Sequence, residues 1–214
     1  MIKTIIFDLD GTLLNTLTDL QVSTNYALSQ FGLATRSEEE IRSFLGSGAR
    51  VLVERALPND KKDMLEEVLP VFKAHYDEHK EDNTAPYAGI AEMLNQVKDA
   101  GYKMAIVSNK YDDAVKHIKD EFFPLVDFAL GEGNGIKTKP DPSGVFYAIE
   151  QLGAKVEESV YVGDSEVDYA TAKNSGLPFI AVSWGFREKT FLQESGAKVI
   201  IDSPEQFLDT VKNI

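Results

Sequence analysis

From residue 87 onward, short runs rich in β-branched residues alternate with segments whose apolar residues recur at helical spacing. The runs are "KMAIVSN" (103–109), "LVDFAL" (125–130), "SVYVGDS" (159–165), "PFIAVSW" (178–184) and "AKVIID" (197–202). The segments between them, such as "GIAEMLNQVKDAG", end in glycine, as helices often do. Together with the opening run "TIIF", this alternation predicts an α/β fold, a Rossmann-like parallel sheet with helices on both faces. The "GEGNG" segment at 131–135 is expected to be a turn.

Residues 16–84 do not show this alternation of strands and helices, because they contain no convincing strand pattern. Helical patterns instead cover 17–31, 38–45, 48–57 and 60–82. Pro70 is expected to bend the last of these helices or to split it. The sequence therefore predicts an all-helical cap domain at 16–84, inserted into a core domain formed by 1–15 and 85–214, with "NTAPYAG" (83–89) as the return hinge.

The charge balance limits the possible partners. Acidic residues outnumber basic ones 35 to 22, which gives a formal charge of −13 and a field that repels nucleic acid and anionic membranes. The chain has no cysteine, so disulfides and thiolate metal sites are excluded. The absence of an apolar run as long as a signal peptide or a membrane span favours a cytoplasmic protein. An anionic substrate would need a local cluster of positive charge.

Polar residues follow the predicted strands at their carboxyl ends, where ligands bind in open α/β sheets. They are Asp8 and Asp10, then Ser108, Asn109 and Lys110, then Lys137 and Lys139, and finally Asp164 with Asp168 one helical turn later. Asp8 and Asp10 are two residues apart in an extended segment, so their side chains point the same way and can bind one ligand. Gly11 permits a sharp turn after them. With Asp164 nearby, three carboxylates would repel one another, so we expect a hard cation such as Mg²⁺. That cation and Lys139 could together accept a phosphate.

Four short motifs occur in a recognisable order along the chain. They are "DLDGT" (8–12), "SN" (108–109), "KPDP" (139–142) and "GDSEVD" (163–168). This set resembles the motifs of the haloacid dehalogenase superfamily of aspartyl-phosphate phosphatases, and the resemblance extends over essentially the whole chain. It implies that Asp8 is the nucleophile and that Asp10 is the general acid and base.

The same resemblance implies roles for the other strand-end residues. Ser108 and Lys139 would bind and neutralise the transferring phosphoryl group, and Gly11, Thr12 and Asn109 would contribute to substrate binding. The Mg²⁺ ligands would be Asp8, the carbonyl of Asp10 and Asp164, while Asp168 would support the metal directly or through water. Lys137 is read as an exposed lysine.

The insert offers the best indication of substrate. The segment "FLGSGARVLVERAL" (44–57) resembles the corresponding cap segment of phosphoglycolate phosphatases, and its glycine loop leads into a helix N-terminus that can approach a small anion. Arg50 could bind a substrate carboxylate bidentately, or could be an ordinary surface arginine. We therefore predict a monomeric or homodimeric enzyme that hydrolyses a small phosphorylated metabolite, 2-phosphoglycolate first of all.

Other functions stay open from the sequence. Within the superfamily they are an inorganic pyrophosphatase, a nucleotidase and a β-phosphoglucomutase. A different class, a response-regulator-like module that accepts one phosphoryl group and holds it, also combines strand-end aspartates, a hydroxyl and a lysine. The acid and base expected at Asp10 and the helical insert after residue 15 fit that module poorly.

Overall fold

The computed structural model describes residues 1–133 and 135–214, and the chain divides into two compact units. The core unit comprises Met1–Leu13 and Pro86–Ile214, and the insert unit comprises Leu14–Ala85. The borders of these units lie close to the domain junctions expected from the sequence, and the domain assignment itself stays a prediction.

Eight strands and ten helices are found among the described residues. The strands are β1 (Thr4–Phe7), β2 (Leu14–Asn15), β3 (Ala85–Pro86), β4 (Lys103–Tyr111), β5 (Phe128–Glu132), β6 (Ser159–Gly163), β7 (Phe179–Val182) and β8 (Val199–Ile201). The helices are α1 (Leu17–Gln30), α2 (Glu38–Phe44), α3 (Ala49–Ala56), α4 (Leu65–His79), α5 (Ile90–Asp99), α6 (Asp112–Phe122), α7 (Ser143–Gln151), α8 (Glu166–Ser175), α9 (Lys189–Glu194) and α10 (Phe207–Lys212). Short 3₁₀ helices cover Asn59–Met64, Val156–Glu158 and Pro204–Gln206.

The core unit is built on a six-stranded sheet with the order β5, β4, β1, β6, β7, β8. Neighbouring strands in this sheet run parallel. Strands β2 and β3 form a separate two-stranded pair where the chain passes between the units. The parallel α/β sheet predicted from the alternating pattern is therefore confirmed.

The central strand β1 shows why helices cover both faces of the sheet. Ile6 and Phe7 are adjacent, so their side chains point to opposite faces, and both are fully buried. Ile6 packs in a cluster with Val145 of α7, while the ring of Phe7 lies 5.5 Å from that of Phe207 of α10. Each face therefore needs its own layer of helices.

The strand register brings three segments to one edge of the sheet. Phe7, the last residue of β1, pairs with Ile106 of β4 on one side and with Val162 of β6 on the other. The residues just beyond these positions therefore emerge side by side at the carboxyl ends of the strands. Asp8 and Asp164 are among them, since each follows its strand directly.

The turn expected at 131–135 begins later than predicted. Gly131 and Glu132 still belong to β5, and Glu132 pairs with Tyr111 of β4. A Cβ atom at Gly131 would lie 2.5 Å from the carbonyl oxygen of Lys110, so the close approach of the two strands requires glycine. Asn134 lies outside the described residues.

The insert unit is helical apart from its terminal strand residues. Its last long helix, α4, continues through Pro70, so of the two alternatives expected for this proline the split is wrong, and the bend stays a prediction. The interruption lies earlier, at the 3₁₀ helix Asn59–Met64, where Lys61 leaves helical backbone angles. Burial of Val68 and Phe72 on either side of the proline compensates for the missing amide donor. No helix in the described part of the chain has the length and hydrophobicity that a membrane crossing requires.

Candidate active site

The loop after β1 places its two aspartates differently. Asp8 is buried, and its backbone N–H donates to the carbonyl of Val162 in β6 at 2.8 Å. Asp10 is more accessible, with a side chain that is 20% exposed. Gly11 follows with φ of +91°, and a Cβ atom there would lie 2.4 Å from Oδ2 of Asp164. Glycine is therefore required both for the turn and for the close approach to the third aspartate.

Three buried carboxylates meet at this edge. Asp8, Asp164 and Asp168 each offer an oxygen, and these atoms lie within 4.8 Å of one another. Burial raises the pKa of Asp8 to about 7, and repulsion from Asp168 adds to the effect. Burial also raises the pKa of Asp164, again with repulsion from Asp168 and then from Asp8. A divalent cation with oxygen ligands would relieve this repulsion, so the residues present fit such an ion.

Lys139 provides the positive charge within the carboxylate cluster. Its Nζ lies 2.6 Å from Oδ1 of Asp8 and 2.8 Å from Oδ1 of Asp168. Burial alone would lower the pKa of the Lys139 ammonium, but the carboxylates of Asp168 and Asp8 hold that pKa well above its usual range. Lys139 is therefore a buried cation.

Asn109 fixes the backbone of that lysine. The Asn109 side chain accepts from the N–H of Lys139 at 2.8 Å and donates to the carbonyl of Lys139 at 3.1 Å. The sequence suggested substrate binding for Asn109, and the structure adds a contact that the sequence did not indicate. Through this contact β4 holds the segment that carries Lys139.

The carboxylate of Asp168 is fully engaged by donors. Oδ1 accepts from Nζ of Lys139 at 2.8 Å and from the hydroxyl of Tyr161 at 3.2 Å. Oδ2 accepts from the N–H and the hydroxyl of Ser165 at 3.1 and 2.6 Å, which forms the capping box that begins α8. A carboxylate offers about four acceptor positions, so these donors fill them. Asp168 is thus positioned to orient Lys139.

Asp164 is held from two sides. Its Oδ2 accepts from the backbone N–H of Phe186 at 2.6 Å, and its Oδ1 accepts from the hydroxyl of Thr12 at 3.3 Å. Thr12 was expected to bind substrate, and the structure places its side chain on this carboxylate. Both contacts fix the direction in which Asp164 points.

The loop Ser183–Arg187, after β7, is a part of the site that sequence analysis missed. The indole N–H of Trp184 donates to the carbonyl of Thr12 at 3.0 Å. A Cβ atom at Gly185 would lie 2.3 Å from the carbonyl oxygen of Gly11, so the loop packs tightly on the turn after β1. The sequence did contain one indication of this loop: in "SWGFR", a glycine directly follows a predicted strand.

Strand β4 contributes a hydroxyl and a second lysine. Ser108 is buried, and its hydroxyl accepts from the N–H of Lys110 at 3.2 Å. The Nζ of Lys110 lies 2.8 Å from Oδ1 of Asp10, and the lysine side chain is only 7% exposed. Lys110 was recognised as a strand-end residue without an assigned role, and it forms an ion pair with the candidate acid and base.

Two further residues were considered in the sequence analysis. Arg50 belongs to the insert unit, in the first turn of α3, where its guanidinium pairs with Glu66. Its side chain is 55% exposed, and its contact with substrate stays a prediction. Lys137 is exposed and pairs with Asp141 at 3.5 Å, as expected for a surface lysine.

Comparison with known proteins identifies the family. The model of the haloacid dehalogenase-like hydrolases matches residues 5–182. The chain belongs to this family. The match includes the carboxylate cluster, Lys139 and the whole insert unit, so the resemblance inferred from the four motifs is confirmed.

Individual relatives agree with this assignment. Phosphoglycolate phosphatase of Pseudomonas syringae pv. tomato is 33% identical over 211 residues, which cover 94% of this chain and 76% of the relative. Phosphoglycolate phosphatase of Aquifex aeolicus is 32% identical and covers 86% of each chain. A crystal structure of a protein from Lactobacillus delbrueckii subsp. bulgaricus superimposes with a TM-score of 0.92 at 38% identity, over 98% of both chains. These relatives confirm the predicted enzyme class, a phosphoric monoester hydrolase similar to phosphoglycolate phosphatases.

Proposed function

We propose that the protein is a Mg²⁺-dependent phosphatase that hydrolyses small phosphomonoesters, 2-phosphoglycolate in particular, through an aspartyl-phosphate intermediate. The observation that carries the proposal is the unequal placement of the first two aspartates. Asp8 lies among buried carboxylates against Lys139, while Asp10 lies apart and pairs with Lys110. This separation suits a nucleophile and a proton donor that act on opposite sides of one phosphorus atom.

In the first step, an oxygen of Asp8 forms a bond to phosphorus while the bond from phosphorus to the ester oxygen breaks. Asp10 gives its proton to that leaving oxygen, and the alcohol departs. In the second step, Asp10 takes a proton from water, the water oxygen bonds to phosphorus, and the bond from Asp8 breaks. Inorganic phosphate is released and both aspartates return to their initial state.

The residues that would hold Mg²⁺ are Asp8, Asp164 and the backbone carbonyl of Asp10. Asp168 would support the site by orienting Lys139, because donors already fill its acceptor positions. When bound, the cation would neutralise the clustered carboxylates and the charge on the phosphoryl oxygens.

The phosphoryl group would be bound by the hydroxyl of Ser108, the ammonium of Lys139 and the backbone N–H of Gly11, while the N–H of Thr12 donates to the carbonyl of Leu9 at 3.2 Å. These are fixed donors in a buried setting, where hydrogen bonds to developing negative charge are strongest. The buried cation at Lys139 would also overcome the repulsion that a chain of charge −13 exerts on an anion.

The preference for 2-phosphoglycolate is supported by the names of the similar curated proteins and by the insert segment 44–57. Inorganic pyrophosphatase, nucleotidase and β-phosphoglucomutase activities are the alternatives within the family. The family assignment argues against a response-regulator-like module. We further propose that the protein acts on a small phosphorylated metabolite in the cytoplasm, as a monomer or a homodimer, with 16–84 as a cap domain.

The test is a phosphate-release assay on a panel that contains 2-phosphoglycolate, pyrophosphate, a nucleoside monophosphate and a hexose phosphate. Turnover should require Mg²⁺, stop with EDTA and return when Mg²⁺ is restored in excess. Asp8→Asn should abolish it, while Asp120→Asn, at a carboxylate that is 76% exposed, should not. Absence of Mg²⁺-dependent release from every substrate would refute the proposal.

A further inference from the structure

Lys110 is a buried lysine that none of the assigned steps uses. Its side chain is 7% exposed, and its Nζ lies 2.8 Å from Oδ1 of Asp10. Lysine is rarely buried unless its charge is paired, because removing an ammonium from water is costly. The position at the carboxyl end of β4 therefore needs an explanation beyond packing.

The charges at this edge give a first reason to place Lys110 in the reaction. Among the described residues considered for the site, the carboxylates are Asp8, Asp10, Asp164 and Asp168, and the ammonium groups are Lys110 and Lys139. The proposed first step needs Asp10 protonated, so three negative charges face two positive charges, and a divalent cation would bring the sum to +1. Loss of Lys110 would remove this positive surplus, which favours an anionic substrate.

The two lysines lie at different carboxylates. Lys139 is 2.6 Å from the candidate nucleophile Asp8, whereas Lys110 is 2.8 Å from the candidate proton donor Asp10. A general acid lies within hydrogen-bond distance of the oxygen that it protonates, about 3 Å. In the proposed reaction that atom is the ester oxygen of the leaving group. Lys110 therefore lies on the leaving-group side of the phosphorus atom, and Lys139 on the nucleophile side.

We propose that Lys110 binds a carboxylate on the leaving group, so that the site selects phosphate esters of short hydroxy acids. This inference rests on the proposed function, since it needs Asp10 to face the leaving oxygen. An ammonium group has three N–H donors and can contact several oxygens at once. In a two-carbon hydroxy acid, one methylene separates the ester oxygen from the carboxylate. An ammonium beside the general acid can reach that carboxylate, and the pairing would distinguish it from an uncharged group.

The test compares 2-phosphoglycolate with 2-phosphoglycolamide, which has the same size but no carboxylate. Lys110→Met should lower kcat/KM for the carboxylate substrate about tenfold or more beyond its effect on the amide, as expected for loss of a hydrogen bond between charged groups. Lys110→Arg, which keeps the charge, should restore part of the preference. Lys137→Met, at a lysine that is 78% exposed, is the matched control and should leave the ratio unchanged.

The ratio of the kcat/KM values for the two substrates shows whether Lys110 binds the substrate carboxylate or only positions Asp10. If Lys110 only orients Asp10, Lys110→Met lowers kcat for both substrates equally, and the proposal is wrong. Product inhibition of the wild-type enzyme tests the same idea without a variant: glycolate should inhibit more strongly than glycolamide, and equal inhibition would contradict the proposal. Absence of turnover on both esters by the wild-type enzyme would refute the preference for 2-phosphoglycolate as well. Turnover of both esters with a ratio that Lys110→Met leaves unchanged would refute only the role of Lys110.

Discussion

The ammonium of Lys139 lies 2.6 Å from Oδ1 of Asp8, although 131 residues separate them in the chain. Asp8 directly follows β1, whereas Lys139 lies in the loop between β5 and α7, and both side chains are buried. Their pairing keeps one carboxylate oxygen of the candidate nucleophile in a fixed place. It also means that the charge balance around Asp8 depends on Lys139, which Asp168 holds from the other side.

Replacing that lysine should destabilise the protein and abolish catalysis. Lys139→Met would leave Asp8 and Asp168 buried without their cation, which typically costs about 3–5 kcal/mol when a buried ion pair loses one partner. We expect a lower Tm in the absence of metal, with partial recovery in Mg²⁺, and no phosphate release in either case. Calorimetry with EDTA or Mg²⁺ measures the first effect. Lys137→Met is the control, and an unchanged Tm for Lys139→Met would contradict the buried ion pair.

The pKa of Asp8 predicts a dependence of stability on pH. Burial and Asp168 raise that pKa from 3.8 to about 7, so between these values the folded protein binds more protons than the unfolded chain. The contribution of Asp8 to the free energy of unfolding is therefore present at low pH and is lost as pH rises toward 7. A metal ion would need the ionised carboxylate, so the rise in Tm on adding Mg²⁺ should be larger at high pH.

Thermal unfolding at about pH 5.5 and about pH 8, with EDTA and with Mg²⁺, checks both statements. Asp8→Asn should reduce the pH dependence of the Mg²⁺ effect and leave the part that comes from Asp164, whereas Asp120→Asn should retain all of it. A Mg²⁺-induced rise in Tm that is equal at the two pH values would contradict the assignment.

Tyr161 should support Lys139 indirectly through Asp168. Its hydroxyl donates to Oδ1 of Asp168 at 3.2 Å, and burial raises its pKa well above the usual range, so it stays a donor. Tyr161→Phe keeps the ring and removes one donor, so we expect a loss of about 1 kcal/mol in stability. Urea unfolding with EDTA measures this loss. A loss as large as that of Lys139→Met would mean that the hydroxyl does more than support Asp168.

Much of the site could be predicted because parallel strands end at one edge of the sheet. Asp8 and Asp164 each follow a short apolar run directly, so their meeting required only the strand assignment and the α/β class. The helix interruption in the insert was harder to place. Pro70 was the visible signal, but packing around it maintains α4, and the break falls at Asn59–Met64 instead.

Contacts made through backbone atoms could not be predicted in the same way. The N–H of Phe186 holds Asp164, and any residue except proline could supply that donor, so the side chain gives no indication.

The pairing of Lys110 with Asp10 joins residues 100 apart, and its geometry depends on the irregular register of β4 near Tyr111. Residue types alone indicated that a lysine was present, and only the structure shows which carboxylate it contacts.

Trp184 should report metal binding directly, because it is the single tryptophan of the chain. Its indole donates to the carbonyl of Thr12, whose hydroxyl in turn contacts Asp164. A cation bound at Asp164 would change the electric field around this indole. We therefore expect the fluorescence of Trp184 to change in a saturable way on titration with Mg²⁺, at the concentration that activates phosphate release.

The variants make this titration specific. Asp164→Asn should remove the fluorescence change, since it weakens the cation site, while Asp120→Asn should leave the titration curve in place. Trp184→Phe removes both the fluorescence signal and the hydrogen bond to Thr12, so the Mg²⁺ affinity of this variant is measured by calorimetry. That affinity should fall several-fold, in line with the loss of about 1 kcal/mol for one hydrogen bond. Unchanged affinity would show that the loop Ser183–Arg187 packs on the site without affecting Mg²⁺ binding.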